Sequence, residues 1–382
     1  MKARRWEPEL VDALLIVQIL ATRKGRQCNG KESKPLSDQT SSVKSKVSFG
    51  IRVPNSGPLA SPESIVEVAR EAESLGYDSI WVHDHLTWTE EIHRTHISSG
   101  SDDSSSGRDS PDFYEAMTTL AYLAGLVRRV RLGIACLVVP CRNPLLAAKQ
   151  IASVDVFCNG RLDIGLGIGS PSTLKSREYE VLGVNRKLRG KIADDHIKAM
   201  KTIWTKQPAS YKGQFVAFED AEICPKPLQK PHPPLWIGGW TEAAMRRTAN
   251  LGDGWLPAWL LPEDIGKRFR ELRAMAATYG RDPDALQLGI EVYGCIDQDS
   301  AKAKARGFGT LAIGRSTFER LMSVEQLASV SLIGSPEEIR RTVRRYVEAG
   351  VSHFEIKFIY PTQERHSEML ELFAREILPD FR

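Results

Sequence analysis

Val47, Phe49, Ile51 and Val53 alternate with Ser48, Gly50 and Arg52, and this period of two predicts a first strand. Ser61-Pro62-Glu63 follows with an N-cap residue and a proline at the first helical position, so a helix opens there. Its apolar stripe is Ile65, Ala69, Ala72 and Leu75, and Gly76 stops it. The same reading gives strands at Ser79–Val82, Val130–Cys136, Leu162–Ile168, Leu235–Gly238, Asp253–Leu256, Leu286–Ile296 and His353–Ile359. Helices are expected over 112–127, 143–158, 190–204, from Thr241, over 262–279, from the capping box Ser335-Pro-Glu-Glu338 to Gly350, and over 363–377. A hairpin is expected at 210–224. Eight strands alternating with helices predict a parallel α/β protein, and eight is the number that closes a TIM (β/α)8 barrel. The alternative, an open doubly wound sheet, places a glycine-rich phosphate loop after the first strand. Here that strand ends in Pro54-Asn-Ser-Gly57, which is no such fingerprint.

Several strands stop on small or titratable residues. One reads Arg161-Leu-Asp-Ile-Gly-Leu-Gly-Ile-Gly-Ser170, and another Pro233-Pro-Leu-Trp-Ile-Gly-Gly-Trp-Thr241, followed by Gly252-Asp-Gly-Trp-Leu-Pro257. Small residues at strand ends let a flat or phosphorylated ligand lie against the backbone. Gly238, Gly239, Trp240 and Thr241 stand between a strand and a helix, where backbone N–H groups suit a phosphate. Trp81-Val-His-Asp-His85 is an apolar strand ending in polar groups, and a barrel carries its chemistry at such C-terminal ends.

In this order the segments resemble the luciferase-like monooxygenase superfamily, from about Val47 to Arg382. The resemblance implies an F420- or FMN-dependent oxidoreductase on a TIM barrel with insertions. It puts His85 beside the reactive ring as the catalytic residue, with Asp84 next to it as a cofactor-binding residue and Trp88 as an aromatic wall. It matches Ala135–Cys136 to a non-proline cis peptide backing the ring. It gives Gly167, Gly169 and Ser170 a cofactor-lining role and puts the cofactor phosphate near Gly238–Thr241. Ser170 departs from the F420-dependent sugar-phosphate dehydrogenases, which carry a catalytic glutamate there. His85 and the spacing favour F420, with FMN close behind. F420 implies hydride transfer to or from a small organic substrate, whereas reduced FMN with O2 implies a monooxygenase. The resemblance also implies a possible homodimer and an excursion around Ala301–Val330 that helps cover the site.

Other chemistries compete for the same residues. His83, His85, His93 and His96 invite a metal-dependent TIM-barrel hydrolase. The later strand ends offer no further histidine except His353, which starts its strand. Asp163 and Glu291 are the carboxylates that a glycosidase would need as a pair at strand ends, yet the fourth strand ends in Gly and Ser. Residues 97–111 are low-complexity and polar, and read equally as a mobile lid with poor local order or as a solvated insertion.

Charge divides the chain in two. Residues 1–46 hold ten Lys or Arg against five Asp or Glu, so the net +4 of the whole leaves −1 for the rest. The basic balance therefore belongs to a tail, expected as a short amphipathic helix and a Ser/Lys-rich linker (Gly30–Lys46), not to a nucleic-acid-binding face. The remaining residues, 47–382, exceed the roughly 250 that a barrel needs. Cysteines 28, 136, 141, 158, 224 and 295 form no CxxC pair, which fits free thiols in a reducing cytoplasm. Leu10–Ala21 is the longest approach to a membrane segment, but Asp12 and Gln18 interrupt it and it falls short of the ~18 apolar residues required.

Overall fold

The computed structural model describes residues 46–57, 59–87, 112–169, 177–313 and 323–382. The tail, Trp88, His93 and His96, the 97–111 insertion and Ser170 lie outside these residues. Eight parallel strands form the barrel. They are β1 (Ser48–Arg52), β2 (Ser79–Val82), β3 (Arg131–Val138), β4 (Leu162–Gly167), β7 (Leu235–Gly238), β8 (Gly254–Leu256), β9 (Gln287–Ile296) and β11 (His353–Phe358). Each pairs with the next in that order. The β1–β11 ladder, Ser48 on His353 through Ile51 on Ile356, closes the ring. The antiparallel hairpin β5 (Ala209–Lys212) and β6 (Ala217–Ala221) sits in the long β4–β7 connection.

The outward face of each strand supplies the core beneath the helices. Phe49, Ile51, Ile80, Val82, Leu132, Ile134, Ile164, Ile290, Val292, Phe354 and Ile356 are buried in one apolar cluster. Since side chains alternate, the intervening residues point into the barrel. Local signals act as the sequence predicts. The Ser61 hydroxyl caps helix Pro62–Leu75, and Gly76 ends it at φ 86° in the left-handed region. Ser335 and Glu338 form the capping box of helix Pro336–Glu348.

Three boundaries differ from expectation. The helix expected over 112–127 is Ala116–Ala124, because the Glu115 carboxylate caps it by accepting from Thr118 N–H at 2.7 Å. The third strand runs two residues past Cys136 before a short 3-10 turn. A ninth parallel strand, β10 (Leu332–Gly334), pairs with Gly294–Ile296 of β9. Three residues are too few for alternation to be read. No helix among the described residues is long and apolar enough to cross a membrane.

One core residue costs stability. His366, on helix Gln363–Glu376, is completely buried, and neither ring nitrogen has a hydrogen-bond partner. Its ring stacks on Tyr360 with centroids 3.9 Å apart. Burial pushes its pKa down to about 3. His366→Phe keeps the stack and removes two unpartnered nitrogens, so a gain of roughly 1–2 kcal/mol in urea unfolding is expected. Between about pH 6.5 and 3 the unfolded chain binds a proton that the folded His366 refuses, so wild-type stability falls as pH falls across that window. The variant's advantage must therefore be larger at pH 5 than at pH 8. An equal or reversed difference would show that the ring is hydrated.

Candidate active site

The barrel interior is built in layers. At the N-terminal end the Arg131 guanidinium pairs with Asp163 at 2.5 Å. Above it, two indoles fill the bore. A Cβ at Gly133 would lie 2.3 Å from the Trp81 ring, and one at Gly254 the same distance from Trp236. Glycine at these positions is therefore what admits the tryptophans. Trp81, Ala135, Trp236 and Leu256 form a separate buried cluster, and His353 packs on Trp236 with centroids 4.6 Å apart. These side chains plug the floor of the barrel.

Beside this floor lies a buried ionic cluster on three adjacent strands. Arg52 of β1 grips Glu355 of β11 with two hydrogen bonds of 2.8 Å. Its Nη2 also lies 3.1 Å from Glu291 of β9. Burial opposes the charge on Arg52, yet the two carboxylates hold the guanidinium above its ordinary range. Burial, with Glu291 adding to it, pushes Glu355 up to about 7 against the pull of Arg52. Next along β9 and β11, Lys357 Nζ sits 5.4 Å over the Tyr293 ring, which stacks on Trp259 at 6.0 Å.

On the opposite side the wall is bulged. The Ala135–Cys136 peptide is cis, and the β3–β4 register slips between Ile134 and Leu137. Cys136 is half-buried and packs against three glycines. A Cβ at Gly238 would come within 2.7 Å of its Sγ, one at Gly165 within 3.2 Å of the same atom, and one at Gly167 within 3.2 Å of its Cβ. Burial, then the charges of Glu291 and Glu355, pushes the Cys136 thiol well up, so it is a poor nucleophile. Gly169 and Gly239 turn the chain at the ends of β4 and β7 with φ of 79° and 94°. Beyond Gly239, the Thr241 hydroxyl accepts from Ala244 N–H and starts helix Glu242–Leu251. The carbonyl oxygens of Gly239 and Trp240 accept from Trp255 and Arg268, each at 2.8 Å.

The segment after β2 is held from both sides. The buried Asn55 amide bonds the backbone of His83 in both directions and the Tyr114 carbonyl. Asp84 is turned into the wall, where its carboxylate accepts from Val138 N–H at 2.9 Å and pairs with Arg142. Burial raises its pKa despite Arg142. The next residue, His85, presents Nδ1 to Glu178 Oε2 at 3.1 Å, and its ring meets Phe113 edge-on at 5.6 Å. Glu178 is fully buried, and its Oε1 accepts from the backbone N–H groups of Leu86 and Thr87. His83 goes elsewhere, to the Ser56 hydroxyl at 2.6 Å. Among the described residues no group of three or more His, Cys, Asp or Glu is arranged to hold a metal ion, so the hydrolase reading gains no support.

The sequence profile of the luciferase-like monooxygenase family matches residues 43–353. The chain belongs to that family. Two curated relatives show its range. The FMNH2-dependent dimethylsulfone monooxygenase of Pseudomonas putida is 27% identical over 267 residues, 62% of this chain and 70% of the relative. The F420-dependent glucose-6-phosphate dehydrogenase of Amycolatopsis mediterranei is 25% identical over 346 residues, 84% of this chain and 95% of the relative. Among solved structures, an F420-dependent secondary alcohol dehydrogenase with an F420–acetone adduct superposes with a TM-score of 0.70 at 19% identity, covering 88% of this chain and 99% of that one. Monooxygenase RslO1 of Streptomyces bottropensis gives 0.68 at 23%, covering 88% and 100%. At these identities the superpositions speak for the luciferase-like barrel.

Within the luciferase-like mouth the fold gathers His85, Ala135, Cys136, Gly167, Gly169 and Gly238–Thr241 at the C-terminal strand ends. Asn55 and Glu178 were not legible as site residues. Arg52 and Glu355 did leave a trace, since each is a charge on the inward side of a strand whose outward side is wholly apolar. Glu178 left none, because it meets His85 across 93 residues of sequence.

Proposed function

We propose that this chain is an F420-dependent oxidoreductase that passes a hydride to or from a small organic substrate at the barrel mouth. FMN is the alternative cofactor, with a monooxygenase reaction. The observation that carries the reading is the bulged, glycine-lined wall, where Ala135–Cys136 is seated on Gly165, Gly167 and Gly238, and the neighbouring loop after β2, where His85 meets Glu178. A wall lined by glycine backbone lets a planar ring approach closely. The backbone of Ala135–Cys136 would back that ring, Gly167 and Gly169 would line its edge, and the turn Gly238–Thr241 would take a phosphate. When bound, the ring supplies the hydride donor or acceptor, and FMN adds reactivity toward O2.

The chain's own residues orient and manage protons. The Glu178 carboxylate is an acceptor, so the proton of His85 Nδ1 points at it and proton exchange falls to Nε2. The Trp81–Trp236 floor keeps water from entering the bore from below. Asp84 supports the site indirectly, by fixing the wall through Val138 and Arg142. A reducing cytoplasm fits the buried free thiols of Cys141, Cys158 and Cys295. A homodimer is part of the proposal, and sedimentation of the purified protein reads it.

Titration of cofactor-free protein with F420 and with FMN, followed by fluorescence, tests the reading. Tight F420 binding beside weak FMN binding supports the hydride-transfer enzyme. The reverse moves the function to a flavin monooxygenase, and binding of neither overturns the cofactor assignment. With the preferred cofactor, His85→Asn is expected to lower turnover by roughly 10²-fold or more. Unchanged turnover would remove His85 from the chemistry.

A further inference from the structure

The ionic cluster inside the barrel is unevenly exposed. The side chain of Glu355 is 1% exposed and that of Arg52 9%, but Glu291 is 22% exposed. Ile290 and Val292 face the outer core, so Glu291 points inward. Below it the bore is plugged by Trp81 and Trp236. Its exposed part therefore opens toward the mouth.

The cluster's hydrogen-bonding capacity is also uneven. Both oxygens of Glu355 are taken by Arg52. Glu291 meets the same guanidinium through Oε1, at 3.1 Å. One guanidinium serves two carboxylates, and Glu291 is the more exposed of the two. The groups facing it are Arg52 from β1, Glu355 and Lys357 from β11, and the Cys136 thiol from β3, which stays protonated. The backbone of Glu291 is bridged to Ala258. Trp259 follows and stacks on Tyr293, forming a flat apolar wall beside the carboxylate.

A carboxylate accepts hydrogen bonds and donates none. We propose that Glu291 is the substrate-facing acceptor of this site, and that the mouth takes molecules with an apolar body and a hydroxyl or N–H group directed at that carboxylate. This rests on the mouth being the reaction site. Arg52 and Glu355 are positioning residues that hold the Glu291 carboxylate against the wall. Such a site rejects an analogue whose donor is capped, because the desolvated carboxylate is then left without a partner.

Calorimetric binding of cyclohexanol and of its methyl ether, methoxycyclohexane, tests the proposal on full-length protein, with cofactor bound and without. Wild type is expected to bind the alcohol at least about tenfold more tightly than the ether. In Glu291→Leu the ratio falls to near one. In Glu291→Gln, whose amide can also donate, the ether gains relative to the alcohol. Both variants are expected to keep wild-type cofactor affinity, which confirms that the mouth has formed. A wild-type ratio near one, no binding of either probe, or a ratio untouched in Glu291→Leu overturns the proposal. Failure of the cofactor to bind wild type is a separate result. It removes the oxidoreductase reading, while the alcohol-to-ether ratio on cofactor-free protein still decides the role of Glu291.

Discussion

Replacing Arg52 by Met is expected to destabilise the barrel by about 3–5 kcal/mol, read from urea unfolding at pH 8. Methionine fills much the same volume, so the loss is electrostatic and not a cavity effect. Among the described residues, Arg52 is the one guanidinium shared by Glu355 and Glu291, at 2.8 and 3.1 Å. Without it, two carboxylates face each other beside an apolar floor. The sign of the pH dependence follows. Burial, with Glu291 beside it, raises the folded pKa of Glu355 to about 7 from the ordinary 4.5. The folded state therefore holds a proton that the unfolded chain has lost across that interval. Stability from this group is fully present below the lower value and declines as pH rises through the upper one. Loss of Arg52 raises the Glu355 carboxyl further, so the variant's deficit should shrink at pH 5, where that group can stay protonated. The double variant Arg52→Met/Glu355→Gln should recover part of the deficit at pH 8. A loss below about 1 kcal/mol would mean that water reaches the cluster and screens it.

The barrel was legible in the sequence because each of its strands carries one apolar face with local stop signals. Ser61, Gly76 and Ser335 acted where they stand, and the resemblance located the Ala135–Cys136 cis bond by position alone. Two kinds of feature stayed hidden. Short elements such as Leu332–Gly334 have no period to read. Contacts between distant strands are fixed by barrel closure, which brings Arg52 to Glu355 across 303 residues. Asp84 illustrates the limit of motif reading. Its place after an apolar strand resembles a cofactor contact, but in the loop after β2 its carboxylate is held in the wall by Val138 and Arg142.

The same hidden kind of contact yields the largest catalytic prediction. Glu178→Gln is expected to leave the protein folded while lowering turnover with the preferred cofactor by roughly 10²-fold or more. Glutamine retains a carbonyl oxygen for the Leu86 and Thr87 N–H groups now bound by Glu178 Oε1. Its other atom changes from acceptor to donor. At 3.1 Å from His85 Nδ1, an amide N–H requires that ring nitrogen to accept. The neutral imidazole must then carry its proton on Nε2, the atom assigned to proton exchange. The variant inverts the tautomer without removing the ring or emptying the pocket. Nitrogen NMR of labelled histidine reads the tautomer directly, and cofactor titration shows whether the mouth is intact. An inverted tautomer with wild-type turnover would show that the reaction does not use the Nε2 lone pair. Reduced turnover with an unchanged tautomer would assign Glu178 to holding the loop after β2. Only tautomer inversion together with slow turnover, at unchanged cofactor affinity, makes Glu178 the residue that sets the proton position on His85.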